Sequence, residues 1–228
     1  MKYDLYTYVY NDEDMLPFFL KYYSFVDRMT FIESGSTDST REILESFAQQ
    51  PESPTIRVIE TGITWWDHNR LHEYKNTVWK DSKMDYILFP DVDEIFYHPA
   101  GLKRFIEDVR SDIFEMDGYE MVSDSFPQDL LSVNMGVYSH MYNKSTIFKP
   151  GIDITFLNAH VRCSSSQNVC LGGIKLLHYR NCGIEQMKKR RDREAARLPK
   201  NCKYRSFPAN AEIQKRHKYL KDNAIKVI

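Results

Sequence analysis

Polar and apolar positions alternate between two periods in the first hundred residues. Leu5–Tyr10 is aromatic and β-branched and predicts a strand. Leu16, Phe19, Leu20 and Tyr23 then recur at i, i+3, i+4 and i+7, the spacing of one helix face. Met29–Glu33 predicts a second strand. A turn over Ser34–Asp38 follows, then a helix carrying Ile43, Leu44 and Phe47. Ser39-Thr40-Arg41-Glu42 has the form of a capping box at its start. Thr55–Glu60 predicts a third strand, Trp65–Asp81 a helix, and Asp85–Pro90 a fourth, mostly apolar strand. This β-α-β-α-β-α-β order predicts an α/β fold with a mostly parallel central sheet flanked by helices.

Ligands of such sheets gather beyond the carboxyl ends of the strands. Polar residues stand there in each case: Tyr10-Asn11 after the first strand, Glu33 to Asp38 after the second, Asp91 and Asp93 after the fourth. The second half is less regular. Gly118–Val122, Ser145–Lys149, Ile152–Leu157 and Ile174–Tyr179 read as strands, Glu185–Leu198 as a charged helix, and the tail from Pro199 as polar. Lys188-Lys189-Arg190-Arg191 on that helix is read as a solvated face, with contact to phosphate or an anionic lipid-linked acceptor as the alternative.

Bulk properties narrow the function classes. The net charge is −1 over 228 residues, so no overall field favours nucleic acid. No apolar run approaches the ~20 residues of a membrane helix, which leaves only peripheral membrane contact open. The start MKYDLYTYVYNDED carries acids where the apolar core of a leader would run, so no signal peptide is expected. Cys163, Cys170, Cys182 and Cys202 are then expected to be reduced thiols of a cytoplasmic protein.

The chemistry concentrates where Tyr86-Ile87-Leu88-Phe89-Pro90 runs into Asp91-Val92-Asp93-Glu94. Three carboxylates within four residues repel one another beside an apolar strand end. A divalent cation removes that repulsion, and Mg²⁺ or Mn²⁺ takes hard oxygen ligands together with substrate phosphates.

Three segments in order then resemble the GT-A fold glycosyltransferases, family 2-like members above all. They are Tyr8-Val9-Tyr10-Asn11-Asp12-Glu13, the segment from Phe31-Ile32-Glu33-Ser34-Gly35 through Thr40, and Phe89-Pro90-Asp91-Val92-Asp93-Glu94, the D-x-D motif. The resemblance implies a Rossmann-like nucleotide-diphospho-sugar transferase that moves a sugar, a UDP-sugar foremost, to a hydroxyl of a glycan or glycolipid. Tyr8, Tyr10, Asn11 and Glu33 would hold the base and ribose, and Arg70 and Asn76 the donor sugar or phosphate. Asp91 and Asp93 would bind Mn²⁺ or Mg²⁺ and the diphosphate, Glu94 would orient the sugar, and the late His178 would complete the metal shell. Glu33 and Ser34 stand where the family carries two acids. Residues 1–98 would form the nucleotide-sugar half, 99–198 the acceptor-side half, and 199–228 a tail packed on the domain.

Other residues are read directly. An acceptor hydroxyl must lose its proton, and Asp124, just past a predicted strand, is the first choice of base, ahead of Asp129 and Asp153. The paired Trp65-Trp66 would stack on a sugar ring, and His160 would touch the acceptor. A phosphatase using Asp91 as nucleophile is a rival, but such a motif opens its domain and is followed by a small hydroxylated residue, where this chain has Ile95. A nucleotidyltransferase would carry an early glycine-rich loop with a basic residue, absent here. A non-catalytic sugar-binding protein would not need the D-x-D.

Overall fold

The computed structural model describes residues 1–63, 67–158, 162–198 and 208–228. Its first half is built from β1 (Tyr3–Val9), α1 (Leu16–Tyr23), β2 (Arg28–Glu33), α2 (Thr40–Ala48), β3 (Thr55–Glu60), α3 (His68–Thr77), β4 (Tyr86–Leu88) and β5 (Glu94–Tyr97). There follow α4 (Leu102–Val109), β6 (Ile113–Ser123), β7 (Met135–Tyr138), β8 (Lys144–Phe148), β9 (Ile154–Phe156), β10 (Arg162–Ser164) and β11 (Val169–Cys182). The chain closes with α5 (Ile184–Arg197), α6 (Asn210–Asn223) and β12 (Ile225–Lys226).

The main sheet runs β12-β7-β6-β8-β4-β1-β2-β3, with β11 joining β6 to β5. Its centre, β4-β1-β2-β3, is parallel. β8 is antiparallel to both β4 and β6, so two reversals restore the direction. β11 is parallel to β6. The carboxyl ends of β1, β2, β4, β6 and β11 therefore share one edge, and the D-x-D loop rises from it.

Strand periodicity explains the core. Tyr3, Leu5 and Val9 of β1 face one cluster with α1, while Tyr6 faces a second with Ile32, Ile87 and Trp79. A strand covered on both faces reads as nearly continuous apolar sequence. The charged residue of β1, Asp4, is buried but bonded: Arg28 Nε donates at 2.9 Å, Tyr6 Oη at 2.8 Å and Ser82 Oγ at 2.7 Å.

Several boundaries differ from expectation for identifiable reasons. The fourth strand is only Tyr86–Leu88, because Phe89 N turns to Thr146 O and Pro90 has no N–H to continue a ladder. Ser39 makes no side-chain cap; Asp38 Oδ1 accepts from Thr40 N at 3.0 Å instead. α3 starts at His68, capped by Asp67, whose side chain accepts from Arg70 N. Within the polar tail, Ile213, His217 and Leu220 recur at i, i+4 and i+7 and are buried, so α6 is an amphipathic helix. Among the described residues no helix is long and apolar enough to cross a membrane.

Candidate active site

The turn after β4 carries the D-x-D. Glu94 N donates to Asp91 O at 2.9 Å, and Asp91 N to Glu94 Oε2 at 3.0 Å, so the motif is a closed loop. β5 then pairs with β11, setting His178 opposite Glu94 in register, and Tyr179 N bonds Asp93 O at 2.9 Å. That pairing brings His178 Nε2 to 3.2 Å from Asp93 Oδ2.

Two carboxylates of this loop share one partner and the third has its own. Glu94 is fully buried and accepts from Lys144 Nζ at 2.6 Å; Asp91 accepts from the same ammonium at 2.7 Å and keeps 46% of its side chain exposed. Asp93, 5% exposed, is paired with His178 and with Arg190 of α5. Burial alone would raise Asp93, but Arg190 and His178 hold it well below the usual carboxylate range. Asp91 is likewise lowered, because Lys144 and Lys75 outweigh its desolvation. Glu94 moves up, since its burial outweighs Lys144. Lys75, lying over the Phe89 and Phe156 rings, is brought down to about 8 by burial and by repulsion from Lys144.

The helix read as a solvated face is docked on the site. Arg190, Arg193 and Arg197 recur at i, i+3 and i+7 and reach the loops after β4 and β1. Arg190 pairs with Asp93, Arg193 lies 3.1 Å from Asp12, and Arg197 stacks 3.8 Å over the Tyr10 ring and is 6% exposed. These residues were missed because a run of charges resembles a solvated surface; the i, i+3, i+7 spacing of the three arginines was the available signal. Lys144 and Lys75 left no such trace, being single lysines in a strand and a helix.

The other expected residues divide between this edge and elsewhere. Tyr8 Oη donates to Leu71 O, and burial together with the charge of Asp91 raises its phenol. Asn11 has φ +51°, and its Oδ1 accepts from Thr37 N at 2.6 Å, so it ties the loop after β1 to the loop after β2. Glu33 is fully buried: its carboxylate accepts from Gly35 N at 3.0 Å and Ser36 N at 2.5 Å and pairs with Arg41 at 2.5 Å. Arg70 is exposed and donates to Thr61 O at 3.2 Å. Asn76 forms a two-bond bridge to the Phe156 backbone at 3.0 and 2.8 Å. Asp124 is solvent-exposed and paired with Lys221. Trp65, Trp66 and His160 lie outside the described residues. The structure thus brings together Tyr8, Asp91, Asp93, Glu94 and His178, with Tyr10 and Asn11 on the same edge, and sets Asn76 and Asp124 apart.

The Glu33 loop carries a pH prediction. Burial would raise Glu33, but Ser36, Gly35 and the neighbouring side chains pull it down to about 2, below its ordinary 4.5. A depressed carboxyl stabilises the fold above its unfolded pKa and loses that contribution as pH falls through the folded value. Melting temperature is expected to fall between about pH 4.5 and 2 in the wild type, and less steeply in Glu33→Gln; equal slopes would remove Glu33 as a cause.

Beside the D-x-D lies a cavity of about 530 Å³ between α5, α6 and the sheet edge. Glu120 and Asn181 line its inner side, with Tyr142, Arg180, Arg190 and Arg216 around them. The Tyr142 ring lies 4.3 Å from that of His178. It reaches there because Gly118 allows the backbone to cross closely: a Cβ at 118 would sit 2.5 Å from the Tyr142 backbone. Gly118→Ala is expected to cost about 1–3 kcal/mol through this overlap, read as a lower denaturation midpoint at unchanged slope.

The Glycosyl transferase family 2 model matches residues 6–165, more than half of the chain. The chain belongs to this family. It is a glycosyltransferase, and the matched region holds the D-x-D loop, Lys144 and Glu120, while His178 and the α5 arginines lie beyond it. Among solved structures, S. aureus TarS 1–349 is similar at 16% identity with a TM-score of 0.53, covering 95% of this chain and 69% of that one. A longer S. aureus TarS structure is similar at 15% identity with a TM-score of 0.52, covering 86% of this chain and 39% of that one. TarS 1–349 in complex with UDP-GlcNAc matches at 15% identity with a TM-score of 0.50, covering 95% and 70%. Likeness at this identity speaks to the fold, which is that of the GT-A glycosyltransferases. No curated protein matches the sequence.

Proposed function

We propose that this family 2 glycosyltransferase moves a sugar from a nucleotide-diphosphate sugar, a UDP-sugar foremost, to a hydroxyl of a glycan or glycolipid, with Mn²⁺ or Mg²⁺ as cofactor. One observation carries the reading: Asp93 Oδ2 and His178 Nε2 stand 3.2 Å apart on the strand-end edge. Two ligands of a single ion, each at about 2.1 Å, sit roughly 3 Å from one another. Among the described residues no three His, Cys, Asp or Glu side chains converge as a metal site. Mg²⁺ is usually held by one or two carboxylates together with substrate phosphates and water. Asp93 and His178 would hold it once Arg190, paired with the same Asp93 oxygen, turns to its other partner Glu194, with Asp91 two residues away on the more open side. When bound, the ion would offset negative charge on the departing diphosphate.

The chain's own residues prepare the rest of the site. Lys144 fixes Asp91 and Glu94 in one arrangement, and Arg190 and Arg193 place guanidinium groups along the same edge. Tyr10, under Arg197, offers an aromatic face beside the loop after β1. The UDP-GlcNAc complex of TarS supports a uridine donor.

Thermal stabilisation tests this reading. UDP, GDP and CMP would be compared with and without Mn²⁺. A ligand at 100 times its Kd adds about 2.7 kcal/mol, or roughly 5–10 °C for a domain of this size. UDP with Mn²⁺ is expected to give the largest shift. No shift with any nucleotide would sink the assignment.

A further inference from the structure

The arginine-walled cavity shares Arg190 with the donor reading above and carries a carboxylate with an unusual setting. Glu120 is 5% exposed and lines the cavity from the carboxyl end of β6. Its two oxygens are separately anchored: Asn181 Nδ2 donates to Oε2 at 2.7 Å, and Arg216 of α6 pairs with Oε1. Each carboxylate oxygen accepts up to two hydrogen bonds, so this anchoring fixes the group and leaves accepting capacity on both oxygens.

The other carboxylates nearby are committed to the walls. Glu194 is shared by Arg180 and Arg190, each at 2.9 Å. Glu212 accepts from Ala209 N at 2.7 Å at the start of α6. Asp124 is 78% exposed beside Lys221 and does not line the cavity.

Position separates Glu120 from the diphosphate grip. β6 and β11 run in parallel register with Glu120 beside His178, and β5 pairs on the other side of β11. Asp93 bonds His178 from that other side. Tyr142, its ring 4.3 Å from that of His178, lines the same cavity as Glu120. A sugar held by its diphosphate near Asp93 would then lie on one side of His178, with Glu120 on the other.

We infer that this cavity seats the acceptor and that Glu120 takes the proton of the attacking hydroxyl, with Arg216 as the positioning residue. The inference rests on the nucleotide-sugar reading given above. In the step, the acceptor oxygen forms a bond to the anomeric carbon while its proton passes to Glu120. The bond from that carbon to the diphosphate oxygen breaks, and its electron pair leaves with the nucleoside diphosphate. Attack opposite the leaving group inverts the anomeric centre. The C-terminal helix, outside the segment matched by the family model, thereby becomes part of the active site.

The test uses hydrolysis of UDP-glucose, UDP-galactose, UDP-N-acetylglucosamine and GDP-mannose by the full chain, taking the donor that the wild type turns over fastest. Glu120→Gln is expected to lower kcat about 10²–10⁴-fold, the usual contribution of a positioned base, with the UDP-induced melting shift unchanged. Formate should restore at least about tenfold in Glu120→Ala, because it returns a carboxylate to the site. Azide brings no proton to remove, so Glu120→Ala and wild type should react with it within about threefold of each other. Arg216→Ala should lower kcat about tenfold at unchanged donor KM, and Arg216→Lys should recover most of it. Turnover of Glu120→Gln within about threefold of wild type overturns the inference, as does an equal loss with water and azide that formate does not relieve. Absence of both turnover and nucleotide-induced stabilisation in the wild type overturns the donor reading first and this inference with it.

Discussion

Asp93→Asn is expected to lower sugar transfer about 10³-fold, equivalent to roughly 4 kcal/mol of transition-state stabilisation, without unfolding the protein. The substitution keeps the shape of the side chain and removes the charge that Arg190 and His178 hold ionised. That charge would be one of two protein ligands to the cation, and the phosphates cannot replace it. Arg190 retains Glu194 at 2.9 Å, so no cation is left buried without a counter-charge. Initial rates of UDP release from a UDP-sugar at saturating Mn²⁺ give the activity, and the melting temperature gives the control. A variant within threefold of wild type would falsify the role of Asp93, and a collapsed melting temperature would assign it to structure instead.

The second large effect is on stability. Lys144→Met is expected to cost about 3–5 kcal/mol, the usual result of removing one partner from a buried charge cluster. Lys144 is 3% exposed and serves two carboxylates; Glu94 beside it is fully buried. Without the ammonium, Glu94 must either take up a proton or remain charged and unpaired. Most of the cost arises there, because Asp91 is nearly half-exposed and water screens it. Melting temperature should fall by roughly 6–20 °C. Adding Glu94→Gln should recover part of the loss, since it removes the stranded charge. A single variant melting within about 2 °C of wild type would show that Lys144 is not the stabilising counter-ion.

These two sites differ in how visible they were from residue order. Asp91-Val92-Asp93-Glu94 announced itself, because clustered carboxylates at the end of an apolar strand require an explanation. Lys144 did not, since a lysine in Lys144–Phe148 reads as an ordinary edge position and its burial depends on β8 pairing with both β4 and β6. Asp124 and Glu120 make the same contrast. Glu120 lies within the predicted strand Gly118–Val122 and Asp124 just past it, and the packing of α6 distinguishes them: Lys221 meets Asp124 in solvent, and Arg216 meets Glu120 inside the cavity.

Residue order by itself determined the parallel centre of the sheet and the loop that carries the acids, because the periods of 2 and 3.6 report which face of each element is apolar. It did not determine which distant residues meet. Arg190 and Asp93 are 97 positions apart, and their contact depends on β11 pairing with β5 and on α5 folding back over the strand ends. Such pairings are chosen by the energy of the whole packed sheet, to which no local period refers, and so only the tertiary structure could assemble the arginine stripe, the Lys144 cluster and the Glu120 cavity around the motif.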